Sequence, residues 1–160
     1  MAPETLSKRE RKAVQVLVEE VEKRTEIRWP VARRLGSGGR PEIVAGSEMA
    51  LKQVASELLP GLIGEDRGLS DPEGYRLRAV SNSGSPLIVV SGAGERGVLC
   101  GVGGLLRRLR MSKQQVALAA PLDIATSPKY KLRGHQMGYR PKTNAYDGWS
   151  VSMWDQYYRD

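Results

Sequence analysis

Apolar and polar positions alternate along the chain in patterns that change from one stretch to the next. From about Leu6 to Arg24, Val14, Leu17, Val18 and Val21 recur at helical spacing while Glu19, Glu20, Glu22 and Lys23 fall opposite, which predicts a helix with one core face and one wet face. Ser7 and Glu10 have the spacing of a capping box, in which each side chain satisfies an otherwise unpaired N–H at the helix start. Ile27 to Val31 is expected to be extended, with Pro30 restricting it to an edge or a strand end because proline lacks the ladder N–H. Gly36 to Pro41 is a turn and Glu42 to Ala45 a short strand. Ser47 can then cap a helix whose Met49, Val54 and Leu58 share one side, until Pro60 and Gly61 stop it.

Pro60 to Gly74 is rich in Gly, Asp and Pro and is expected to be a surface loop. Tyr75 to Val80 alternates Tyr, Leu and Ala with Arg76 and Arg78, the period-2 pattern of a half-buried strand with the arginines on its polar side. Asn82-Ser83-Gly84-Ser85 turns the chain into the apolar run Pro86 to Val90, so the two strands should form an antiparallel hairpin. A helix from about Glu95 to Arg110 places Val98, Val102, Leu105, Leu106 and Leu109 on one face. Gly97, Gly101 and Gly104 form a stripe beside that face. Each costs a helix about 1 kcal/mol relative to alanine, so the stripe predicts close packing of the helix backbone on a sheet. Val116 to Ala120 is a further short strand.

Composition narrows the class. One hundred and sixty residues with 40% apolar and 27% charged side chains suit one ordinary globular domain and argue against wholesale disorder. No run approaches the ~18–20 apolar residues of a membrane span. The opening MAPETLSKRERK has charges where a signal peptide would carry its apolar core, so no signal peptide is expected here. Cys100 and His135 are the sole residues of their types, which excludes an intrachain disulfide and a Cys/His zinc cluster. Cys100, inside an apolar glycine-rich run, is expected to pack as a small hydrophobe. Lys and Arg outnumber Asp and Glu by 25 − 18 = 7, but the cations are scattered and interleaved with acids, so solvated faces are expected and a nucleic-acid partner is not.

Gly92-Ala93-Gly94-Glu95-Arg96-Gly97 fits GxGxxG between a strand and a helix, the setting of a dinucleotide-binding turn. Against that reading, the preceding strand looks hairpin-paired, Glu95 puts a carboxylate beside the would-be phosphate, and Asp123 comes too late to serve as the ribose-binding acid. A tight structural turn and no bound cofactor are therefore expected. The alternative function is a nucleotide- or polyanion-binding module using Gly92 to Gly97 with Arg107, Arg108 and Arg110. A parallel βαβ unit at Gly92 would favour it and an antiparallel hairpin at Asn82 to Ser85 would count against it. No GxSxG, HExxH or Walker lysine occurs, and pairs such as Glu19-Glu20 and Glu65-Asp66 are expected to be solvated.

From Pro121 the character changes: Pro121, Pro128 and Pro141 punctuate the chain, and seven of its nine aromatic residues lie between Tyr130 and Tyr158. Val151, Trp154 and Tyr158 form a helical stripe with no Gly or Pro stop before Asp160, which predicts that the chain belongs to a larger protein.

The run EGYRLRAV, SPLIVVSGAGERGVLCGVGGLLRRL and PLDIATSPKYKLRGHQMGYR, with RTEIRWP before it, resembles the small N-terminal domain, and its junction to the catalytic barrel, of bacterial glycoside hydrolases similar to the family 20 β-N-acetylhexosaminidases and the α-glucuronidases. The resemblance covers about Leu6 to Arg140. It implies an α+β domain, a mainly antiparallel (mixed) sheet with helices on one face, over residues 1–122. Residues 123–160 would be the connector and the start of the barrel. It further implies that the domain is non-catalytic and that its partner is its own C-terminal barrel, with carbohydrate as the whole protein's substrate and a secreted or periplasmic location left open. In the hexosaminidases the arginine of the corresponding Arg-Gly binds sugar hydroxyls, a role suited to the guanidinium fork, and this maps onto Arg133, with Arg140 as a second substrate contact. The family's next Asp is replaced by Gly138, and Arg140 falls one place early, so GlcNAc specificity does not carry over.

Overall fold

The computed structural model describes residues 1–2, 5–34, 36, 39–55, 69, 71–82, 84–134 and 148–159, with backbone alone at 54, 55 and 82. They fall into two compact units, Met1–Pro128 and Lys129–Asp160.

The first unit opens on helix α1, Lys8–Thr25, with Ser7 as N-cap and the capping box complete: the Glu10 N–H donates to Ser7 Oγ at 3.2 Å, and the Ser7 N–H to Glu10 Oε2 at 2.7 Å. Strand β1, Glu42–Ser47, leads into α2, Glu48–Ala55, where Ser47 Oγ accepts the Ala50 N–H. Strands β2, Tyr75–Asn82, and β3, Ser85–Gly92, form the expected hairpin. Helix α3, Glu95–Leu106, follows, then the hairpin of β4, Leu109–Ser112, and β5, Gln115–Leu118, and finally β6, Asp123–Thr126.

The main sheet has the order β1-β3-β2-β6. Strand β3 pairs antiparallel with β2 and parallel with β1, and β6 pairs antiparallel with β2, so the α+β class with a mixed sheet is what forms. Alternate residues of each strand face opposite sides. Ala45, Leu77 and Val90 join Val14, Leu17, Val21, Val98, Val102 and Leu105 under α1 and α3. Val44, Leu87 and Val89 form a second cluster on the other side, and Leu51 of α2 closes it. The expectation of helices on one face is therefore corrected, because both faces of β3 are apolar and both must be covered.

Several local expectations change with it. Residues 27–32 form no strand; the Ala32 carbonyl accepts the Ala2 N–H instead of joining a ladder. The Met1 amino group donates to the Ile43 carbonyl and the Ala45 N–H to the Met1 carbonyl, so Met1 occupies part of the open edge of β1. Met49 is exposed, and α2 packs through Ala50 and Leu51; Leu58, Pro60 and Gly61 lie outside the described residues. Arg76 is only 1% exposed, on the side of the sheet that α2 covers, whereas Arg78 pairs with Asp123 directly across the ladder at 3.0 Å. Helix α3 ends at Leu106, and Leu109 begins a strand that packs on the core.

The glycine stripe performs the packing its spacing predicts. A β-carbon at Gly101 would lie 2.9 Å from Val90 Cγ1, and one at Gly104 would lie 2.7 Å from Tyr75 Oη, so the bare helix backbone rests on β2 and β3. The first unit continues through Pro128 and includes β6, residues the sequence reading places with the connector. In the second unit, α4, Val151–Arg159, begins at Ser150, whose carbonyl accepts the Met153 and Trp154 N–H groups. Its rings pack on one another, Trp154 lying 4.9 Å from Trp149 and 6.0 Å from Tyr158 between centroids.

Candidate functional site

The glycine-rich turn stands at the end of β3, where β1 and β3 run parallel with Ser47 opposite Gly92. Strand β3 is nevertheless hairpin-paired with β2, and α3 leads from it into β4 of a separate two-stranded sheet, so no parallel βαβ unit forms at Gly92 and the outcome posed against the cofactor reading is the one found. The Ala93 N–H donates to the Gly74 carbonyl at 2.9 Å and the Gly97 N–H to the Pro72 carbonyl at 3.1 Å, while the Val98 N–H closes on Gly94. Two of the donors at the turn, those of Ala93 and Gly97, are thereby committed to the segment 72–74. A β-carbon at Gly94 would stand 3.1 Å from the Pro72 carbonyl oxygen, and one at Gly97 would be driven into the Gly74 carbonyl. The glycines let the 72–74 backbone approach, as a tight structural turn requires.

Arg107 and Arg108 sit at the other end of α3. A 12-residue helix is about 18 Å long at 1.5 Å per residue, so these arginines do not gather around the Gly92 turn. Their guanidinium groups donate to the Gly103 and Gly104 carbonyls, at 3.3 and 2.7 Å, and cap the end of the helix where orphan carbonyls and the negative pole of the dipole favour a cation. Arg110 lies in β4, exposed. The structure does not bring together the group proposed for polyanion binding.

Cys100 is exposed on α3 rather than packed as a small hydrophobe. Partial burial nevertheless pushes its thiol above the ordinary range, against the opposing pull of Arg107 and Arg96, which keeps it protonated and poorly nucleophilic at neutral pH. Among the described residues no group of three or more His, Cys, Asp or Glu side chains is arranged to hold a metal ion, and no helix is long and apolar enough to cross a membrane.

Arg133 lies at the exposed start of the second unit, beside Gly134, where a side chain would meet open space. Arg140, Gly138 and His135 lie outside the described residues.

A groove of about 750 Å³ in the first unit has no counterpart in the sequence pattern. Leu17 of α1, Ile43 of β1, Ile88 of β3, and Val116 and Leu118 of β5 form its floor and walls, and Trp29 flanks it. Arg34, Arg40 and Glu42 stand at its rim. Both carboxylate oxygens of Glu42 accept the Gly36 N–H, at 3.0 and 3.2 Å. The groove is assembled from stretches of chain far apart in sequence, and no periodicity within any one of them announces it.

Compared with models of known protein families the sequence matches none, and no characterised protein is significantly similar to it.

Proposed function

We propose that the chain is the N-terminal accessory domain and barrel junction of a carbohydrate-active glycoside hydrolase, similar to those of the family 20 β-N-acetylhexosaminidases and the α-glucuronidases. One observation supports this most: the resembling segments fall in order on the β2–β3 hairpin, on α3 and on β6 of a single sheet, with Arg133-Gly134 following shortly after. In this reading the first unit is non-catalytic. It buttresses the barrel and shapes one rim of the active site, while Arg133, with Arg140, donates to sugar hydroxyls from the junction. The glycine-rich turn belongs to the same account, because its Ala93 and Gly97 N–H groups hold the 72–74 segment against α3.

The test is expression of the whole reading frame that contains these residues, assayed on a panel of aryl glycosides beside residues 1–160 alone. Hydrolysis by the former and none by the latter is expected, with Arg133→Lys raising KM more than it lowers kcat. A reading frame that encodes no downstream carboxylate-bearing barrel, or hydrolyses no glycoside, overturns the proposal.

A further inference from the structure

The groove beside Trp29 has the character of a binding site rather than of a packing defect. Trp29, Ile43, Ile88, Val116 and Leu118 pack against the main core cluster yet stay only partly buried, and all five line this hollow. About 750 Å³ lies within the ~300–1,000 Å³ of small-molecule sites, which are mainly apolar with a few polar groups at set positions. Here the polar groups stand at the rim. Arg34 and Arg40 line it, and among the described residues neither has an ion-pair or hydrogen-bond partner, while the one acid beside them, Glu42, is already engaged by Gly36. An apolar interior with two uncommitted guanidinium groups at its mouth complements a ligand with the reverse polarity.

We propose that this groove binds a small anionic amphiphile, a carboxylate on an unbranched apolar body, with the body against Leu17, Ile88 and Val116 and the carboxylate at Arg34 and Arg40. Guanidinium suits a carboxylate because its parallel N–H donors match the two oxygens, and the apolar wall contributes by removing the ligand's hydrocarbon from water. This site does not depend on the glycosidase reading, since its residues all belong to the first unit and none is at the barrel junction.

The experiment is calorimetric titration of the chain with decanoate, below the concentration at which it forms micelles, and with 1-decanol as the uncharged counterpart. One saturable site is expected for decanoate, with decanol weaker by about tenfold or more. Val116→Trp, which fills the groove, should abolish binding of both. The double variant Arg34→Glu/Arg40→Glu alters only exposed rim residues and keeps the experiment decisive if Val116→Trp does not fold. It should bring decanoate down to the level of decanol and leave decanol unchanged. Absence of saturable decanoate binding, equal affinity for acid and alcohol, or decanoate affinity unmoved by the charge reversal overturns the proposal.

Discussion

Glu10 and Ser47 are 37 residues apart in sequence, yet Glu10 Oε1 accepts the Ser47 backbone N–H at 2.7 Å. The other oxygen, Oε2, accepts the Ser7 N–H at the start of α1, so one buried carboxylate fastens the first turn of α1 to the corner where β1 becomes α2. Ser47 in turn caps α2. A hydrogen bond to a charged group contributes roughly 1.5–3 kcal/mol, and an amide can satisfy only one of the two N–H groups while turning its own donors on the other. Glu10→Gln should therefore cost about 2 kcal/mol, read as a lower denaturation midpoint in urea with an unchanged slope. An unchanged midpoint would mean that the carboxylate is not the link between the two helix starts.

The same carboxylate makes stability depend on pH in a definite direction. Burial alone pushes the Glu10 carboxyl up, but hydrogen bonds from Ser47 and Ser7 outweigh it and hold the group below its ordinary value of 4.5. A depressed carboxylate contributes stability that is fully present above its unfolded pKa and is lost as pH falls through the folded one. The gap in unfolding free energy between the wild type and Glu10→Gln should thus be constant above about pH 5 and narrow below pH 4.5. A gap that widens in acid would reverse the assigned sign.

Two glycines of α3 should respond oppositely to the same substitution. At Gly97 an added methyl group would run into the Gly74 carbonyl and come within 3.1 Å of Gly92 Cα, all of it backbone that cannot swing aside. At Gly103 the nearest atom is Arg107 Nη1 at 3.5 Å, an ordinary contact with a mobile side chain. Gly103→Ala should stabilise by up to about 1 kcal/mol through helix propensity, and Gly97→Ala should destabilise by about 2 kcal/mol or more despite the same propensity gain. Thermal melts of the two variants check both signs.

Much of this architecture is legible in sequence wherever a local pattern suffices. The Ser7–Glu10 box, the hairpin at Asn82–Ser85 and the Gly97, Gly101 and Gly104 stripe each specify their structure within a few residues. What escaped depends on partners distant in sequence. Nothing in Glu42–Ser47 reveals that it lies parallel to β3, and that pairing is what makes both faces of β3 internal. Arg76 reads as a solvent position because alternation distinguishes the two faces of a strand but not whether the second one is covered. Leu109 continues the helical stripe of Leu105 and Leu106, so the pattern extends the helix through β4, and only the close of α3 at Leu106 redirects the chain. The candidate site fared similarly: the glycine turn was readable as structural, whereas the Trp29 groove exists only after α1, β1, β3 and the β4–β5 hairpin have assembled.

That hairpin also finishes α1. Helix α1 ends with Glu26 in the left-handed region at φ 62°, leaving C-terminal carbonyls without intrahelical donors. The turn of the β4–β5 hairpin supplies them: the Gln114 N–H donates to the Thr25 carbonyl at 2.7 Å and the Gln114 side chain to the Glu26 carbonyl at 3.3 Å, with Lys113 paired to Glu26 at 3.2 Å. Gln114 holds φ at 55° to do so. Proline there would impose a φ near −65° and delete the N–H, so Gln114→Pro should cost about 3 kcal/mol or more and speed amide exchange in the last turn of α1 as well as in the hairpin. Glycine keeps the N–H and adopts positive φ freely, offsetting the lost side-chain bond, so Gln114→Gly should stay within about 0.5 kcal/mol of the wild type. If proline disturbed exchange in β4 and β5 alone, the hairpin would be a passenger on α1 rather than its cap.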